Sequence, residues 1–162
     1  MGEAVSAAVV PAAGGKGRMK PDDFLSQLNR DRIVAAIAEA EKRTSGEIRV
    51  FISRKPAPDA LKEAEQHFTR LGMNATRERN GVLIYVAPET RSFAVVGDSG
   101  IHQRCGSEFW GRLVEEMGAC FRHEQFTEGL AAAINTVAGL LATHFPRASD
   151  DRNELPDTVE HD

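Results

Sequence analysis

The run Val82-Leu83-Ile84-Tyr85-Val86 constrains this chain more than any other feature. Five consecutive apolar side chains cannot alternate between core and water, so the segment suits a strand covered on both faces. Its neighbours fit that reading. Glu47–Ser53 alternates, with Ile48, Val50 and Ile52 on one side, and reads as a strand. Between the two, Leu61, Ala64, Phe68 and Leu71 form the stripe of a long helix that stops near Gly72. Strand, helix, strand is a βαβ unit, whose strands are parallel with a right-handed crossover. Phe93–Val96 reads as a third strand, after turn material at Pro88-Glu89-Thr90-Arg91. That connection is too short for a crossover, so the second and third strands pair antiparallel.

Helical periodicity accounts for most of the remainder. Pro21-Asp22-Asp23 opens a short helix over Phe24 to Leu28. Asp31 is placed to cap the next helix, in which Ile33, Ala36, Ile37 and Ala40 share a face. Trp110, Leu113, Val114, Met117 and Phe121 line a third amphipathic helix, and Phe126, Leu130, Ile134, Val137 and Leu141 a fourth. The expected fold is α/β: a three-layer αβα sandwich around a small mixed sheet, with a Rossmann-like βαβ start and an antiparallel hairpin. At 162 residues the chain suits one domain. Residues 1–20 lack periodicity and read as a disordered leader, 21–146 as the domain, and 147–162 as an acidic tail partly packed on it.

The charge distribution excludes some functions. Asp150, Asp151, Glu154, Asp157, Glu160 and Asp162 face only Arg147 and Arg152 in the tail, which therefore carries the whole net charge of -4. No basic stripe appears, so nucleic acid is not an expected partner. Cys105 and Cys120 lack C-x-x-C spacing, and Cys120 falls in an apolar helical stripe as a reduced core thiol. His67, His102, His123, His144 and His161 make no H-E-x-x-H, which argues against a zinc hydrolase. P-loop, G-x-G-x-x-G, G-x-S-x-G and C-x5-R patterns are missing. Gly129–Ala142 is the most apolar stretch, but it carries Asn135 and Thr136 and reads as a buried helix rather than a membrane span. Glu3 and Pro11 argue against a signal peptide, so a cytoplasmic or otherwise soluble protein is expected.

The topology directs attention to one edge of the sheet. The start of strand one, the start of strand two and the end of strand three share that edge, and Glu47, Asn80 and Asp98 occupy those positions. With strands ~4.8 Å apart, the three polar side chains fall within roughly 10 Å of one another. Carboxylate and amide oxygens beside Gly81, Gly97 and Gly100 are the donors that Ca²⁺ or Mg²⁺ prefers. Asp150, Asp151, Glu154 or Asp157 of the tail would complete the shell. A purely structural reading has Glu47 cap a strand, Asn80-Gly81 form a turn and Asp98 cap the following helix. The opposite edge offers Arg54 and Lys55 before a helix N-terminus, an alternative anion seat. His102 lies nearest the acidic edge among the histidines and reads as a surface residue rather than a general base.

Six segments carry a family likeness. Thr44-Ser45-Gly46-Glu47-Ile48, Arg79-Asn80-Gly81-Val82-Leu83-Ile84, Val96-Gly97-Asp98-Ser99-Gly100-Ile101, Phe109-Trp110, Phe126-x-Glu128-Gly129-Leu130 and Asn153-Glu154-Leu155-Pro156-Asp157 resemble, in order and spacing, the TPM domain family. That family takes its name from a thylakoid lumen protein, a photosystem II repair protein and an acetylcholine-receptor auxiliary protein. The resemblance implies a Rossmann-like αβα fold, divalent-cation binding (often calcium) at an acidic crevice, and in some members acid-phosphatase activity. Asp98 carries over best as a metal ligand, followed by Glu47 and Asn80; catalytic residues remain unassigned. The leading expectation is a cation-binding module that acts through conformation or a protein partner. A metal-dependent phosphatase and an ion-free structural adaptor are the alternatives.

Overall fold

The computed structural model describes residues 5–9, 19–147 and 159–161. Its strands are β1 (Val5–Val9), β2 (Glu47–Ile52), β3 (Gly81–Ala87), β4 (Ser92–Gly97) and β5 (Val159–His161). Its helices are α1 (Pro21–Gln27), α2 (Arg30–Glu41), α3 (Ala60–Arg70), α4 (Ser99–Cys105), α5 (Ser107–Arg122) and α6 (Phe126–His144). The sheet order is β1-β4-β3-β2-β5. As expected from the βαβ unit, β2 and β3 are parallel, and the short connection makes β3 and β4 antiparallel.

All seven residues of β3 are buried, as its unbroken apolar run requires. Val82, Ile84 and Val86 join the larger core, with residues of α1, α2, α5 and α6. Leu83, Tyr85 and Ala87 point the other way, into a smaller core under α3. Helices therefore cover both faces of the sheet, and the αβα sandwich holds. Among the described residues the cover is unequal: one helix on one side, five on the other.

Three local differences from the sequence expectation have physical causes. Asn29 caps α2, its side chain accepting from Arg32 N–H at 3.1 Å, and Asp31 falls inside the first turn. The chain turns at Asn29 because buried Leu28 anchors it and the Asn29 N–H donates to Thr127 Oγ1 at 3.1 Å. Val5–Val9, in the stretch expected to be a disordered leader, pairs antiparallel with β4 from Val5 opposite Gly97 to Val9 opposite Phe93. Val159–His161, in the acidic tail, adds a parallel edge to β2. Both edge strands exist through pairing with a distant partner, which short-range periodicity does not register.

Helix α6 has the length and mean hydropathy (1.2) that a membrane span needs, judged by composition. In the fold its apolar face is spent inside the domain, where Leu130, Ile134, Val137 and Leu141 are fully buried. Cys120 is a free, half-buried thiol on α5.

Candidate functional site

The sheet register explains how the rim forms. Glu47, the first residue of β2, stands opposite Gly81, the first of β3. Gly97 ends β4 opposite Val82, and the next residue, Asp98, donates its N–H to Gly81 O at 3.0 Å. Glu47 and Asp98 therefore flank Gly81 in one row, about 10 Å apart at the backbone. Both share the parity of Phe51 and Val96, the residues that face α3. Asn80 lies one step outside the row, and its carbonyl receives the Glu47 N–H at 3.4 Å. The structure thus brings Glu47, Asn80 and Asp98 to one rim.

Two glycines let backbone oxygens crowd against that rim. A Cβ on Gly81 would lie 2.9 Å from Met73 O, so only glycine admits this carbonyl beside the strand. A Cβ on Gly100 would collide with Glu78 O and lie 2.6 Å from Arg79 O. Arg79 reaches this position by adopting a left-handed conformation, φ 55°, which bulky residues seldom occupy. Its carbonyl then accepts the Gly100 N–H at 2.9 Å, tying the loop before β3 to the start of α4.

The side chains at the rim are deeply buried: Glu47 is 2% exposed, Asn80 1% and Asp98 1%. Asp98 Oδ1 accepts the Ser99 N–H at 2.7 Å. Asp98 Oδ2 stands 3.3 Å from Arg79 Nε, close enough for an ion pair, yet the two are not aligned as a hydrogen bond. The Asn80 N–H donates to Thr76 Oγ1 at 3.2 Å, and its Nδ2 donates to Ser45 Oγ at 3.2 Å. Among the described residues, Asn80 Oδ1 accepts no hydrogen bond. Ser45 is itself held by the chain after α6, its N–H donating to Phe145 O at 3.0 Å, while Thr44 Oγ1 donates to the same carbonyl. The Arg104 guanidinium lies 4.8 Å from the Phe145 ring centroid.

Asp150, Asp151, Glu154 and Asp157 lie outside the described residues, as does the side chain of His102, whose backbone is in α4. Among the described residues, no group of three or more His, Cys, Asp and Glu side chains is placed to hold a metal. The alternative anion seat is filled from within. Asp59 caps α3 by accepting the Lys62 N–H at 3.2 Å, and Arg54 pairs with Asp22. Conversely, sequence reasoning did not assign Ser45 or Met73 to the rim, and it noted Arg79 at this edge without pairing it with Asp98. Arg79 adjoins Asn80-Gly81, but its ion pair with Asp98 depends on a left-handed backbone that nothing in the local sequence announces.

Chemically, the rim gathers two buried carboxylates, one amide oxygen without a donor among the described residues, and nearby carbonyls. This donor set suits a hard cation, with Arg79 already supplying one positive charge. A family model described as the TPM domain matches residues 19–140. The chain is also similar to the BA42 protein of the psychrophilic bacterium Bizionia argentinensis, whose NMR structure aligns with a TM-score of 0.76. That match has 38% identity and covers 82% of this chain and 92% of the other. No curated protein matches. Domain-length agreement in sequence and fold, on an αβα sandwich carrying the motifs quoted above, establishes that this chain belongs to the TPM domain family.

Proposed function

We propose that the rim binds a divalent cation, Ca²⁺ or Mg²⁺, with Asp98, Glu47 and Asn80 as its side-chain ligands. One observation carries this reading. Asn80, 1% exposed, directly precedes Gly81, which Glu47 and Asp98 flank, and among the described residues its Oδ1 accepts no hydrogen bond. A buried acceptor without a donor costs about 1–3 kcal/mol, and such an atom in a native protein calls for an ion or water as its partner. A divalent cation would satisfy it and carry a charge opposite to that of the Asp98 carboxylate. Ca²⁺ takes 6–8 oxygen ligands in general, so backbone carbonyls and water would supply the remainder. A bound ion would concentrate positive charge at this end of the sheet. The chain's own contribution is to keep the oxygens buried and in register.

Thermal melts with and without millimolar Ca²⁺ or Mg²⁺ test the reading. Binding to the native state at about 100-fold over Kd stabilises by about 2.7 kcal/mol, which raises Tm by roughly 5 °C or more. Asp98→Asn keeps an acceptor for the Ser99 N–H, so the fold is expected to persist while the rise disappears. A wild-type Tm indifferent to both ions removes the proposal. Hydrolysis of a phosphomonoester that depends on Asp98 would instead favour the phosphatase alternative.

A further inference from the structure

Within the cation-binding reading, on which this inference rests, Arg79 has a role of its own. Its guanidinium already occupies the position of a counterion, with Nε 3.3 Å from Asp98 Oδ2. The two partners differ in access: the Asp98 side chain is 1% exposed, the Arg79 side chain 39%. The Arg79 backbone is pinned, because its carbonyl holds the Gly100 N–H and its N–H donates to Thr76 O at 3.3 Å. The Arg79 side chain is thus partly open to solvent while its backbone stays fixed. We infer that Arg79 is the resident countercation of the site and that a divalent ion binds by displacing its guanidinium from Asp98.

Such an exchange determines specificity. A monovalent ion replaces one positive charge with another and gains nothing electrostatically. A divalent ion brings a second charge to a buried carboxylate, where attraction is stronger than in water. Arg79 thereby lowers affinity for all cations while setting a threshold that Na⁺ and K⁺ do not pass. It also keeps the Asp98 charge compensated when no ion is bound, which a buried carboxylate requires.

The test compares wild type with Arg79→Asn and Arg79→Lys, the first chosen because asparagine tolerates the left-handed backbone and carries no charge. Trp110, the sole tryptophan, gives a local signal: its ring is so close that a Cβ on Gly97, the residue before Asp98, would lie 2.5 Å from it. Each variant is titrated with Ca²⁺ while following Trp110 fluorescence, and melted with and without the ion. Arg79→Asn is expected to melt lower than wild type without Ca²⁺, to bind it about tenfold more tightly, and to gain more in Tm. It should also respond to Na⁺, while Arg79→Lys stays close to wild type. If wild type binds Ca²⁺ and Arg79→Asn binds it no more tightly, the exchange is wrong and the cation site stands. An Arg79→Lys protein as tight as Arg79→Asn likewise overturns exchange by charge. If neither wild type nor Arg79→Asn responds to Ca²⁺, both readings fail. A response confined to Arg79→Asn supports the exchange in its strongest form.

Discussion

The two ends of the sheet bury polar groups in opposite ways. At the carboxyl end of β2 and β3, hydroxyls and backbone satisfy one another. The Ser53 N–H donates to Val86 O at 2.8 Å, the Ala57 N–H to Thr90 Oγ1 at 3.1 Å, and Ser92 Oγ to Ala57 O at 3.1 Å. Thr90 Oγ1 and Ser92 Oγ are 2.8 Å apart. Beside this network lies an apolar crevice lined by Phe24, Val86, Phe93, Phe121 and Phe126. At the amino end, charges are buried and, among the described residues, Asn80 Oδ1 has no donor. Open α/β sheets usually bind ligands beyond the carboxyl ends of their parallel strands. Here that end carries, beside the crevice, hydroxyls and backbone groups that complete each other, whereas the amino end buries carboxylates next to an amide oxygen that accepts no hydrogen bond among the described residues.

The largest effect should come from filling the gap that admits the loop carbonyls to the rim. Gly100→Ala sets a Cβ against Glu78 O and 2.6 Å from Arg79 O, both backbone atoms held by the αL turn. The expected loss is about 3 kcal/mol in a urea melt, the upper part of the range for overpacking. An unchanged midpoint would mean that the loop does not press on α4, and the rim would lose its structural basis. A smaller loss is expected at the closed end. Thr90→Val keeps shape but strips the acceptor from the buried Ala57 N–H, at a cost of about 2 kcal/mol.

Legibility in the sequence follows the same division between local and distant causes. The hairpin was readable because Val82–Val86 is apolar throughout and only a short turn precedes Phe93. The topology then placed Glu47 and Asp98 together, since strand order and direction fix which ends meet. The edge strands were not readable: Val5–Val9 and Val159–His161 acquire their structure from the free edges of β4 and β2. Within the rim, the expectation named two carboxylates and one amide, with Arg79 at the same edge, but not how their surroundings are arranged. Met73 O beside Gly81 and the Arg79 guanidinium beside Asp98 depend on where the loop after α3 is folded, and φ 55° at an arginine is set by tertiary contact rather than propensity.

The smallest effect is the most discriminating. Asn80→Ala removes the bond from Nδ2 to Ser45 Oγ, worth about 1 kcal/mol, but it also removes a buried acceptor that has no donor. These changes oppose each other, so the ion-free variant should lose only about 0.5 kcal/mol, well below the loss for Thr90→Val. The order is unusual, because a residue 1% exposed with a polar side chain ordinarily resists truncation. Chemical denaturation without divalent ions measures both variants on one scale. A repeat with Ca²⁺ should separate them further, with Asn80→Ala gaining less from the ion than wild type and Thr90→Val gaining as much. If Asn80→Ala costs as much as Thr90→Val without ions, Oδ1 has a partner in solution and the two ends of the sheet do not differ in the way proposed.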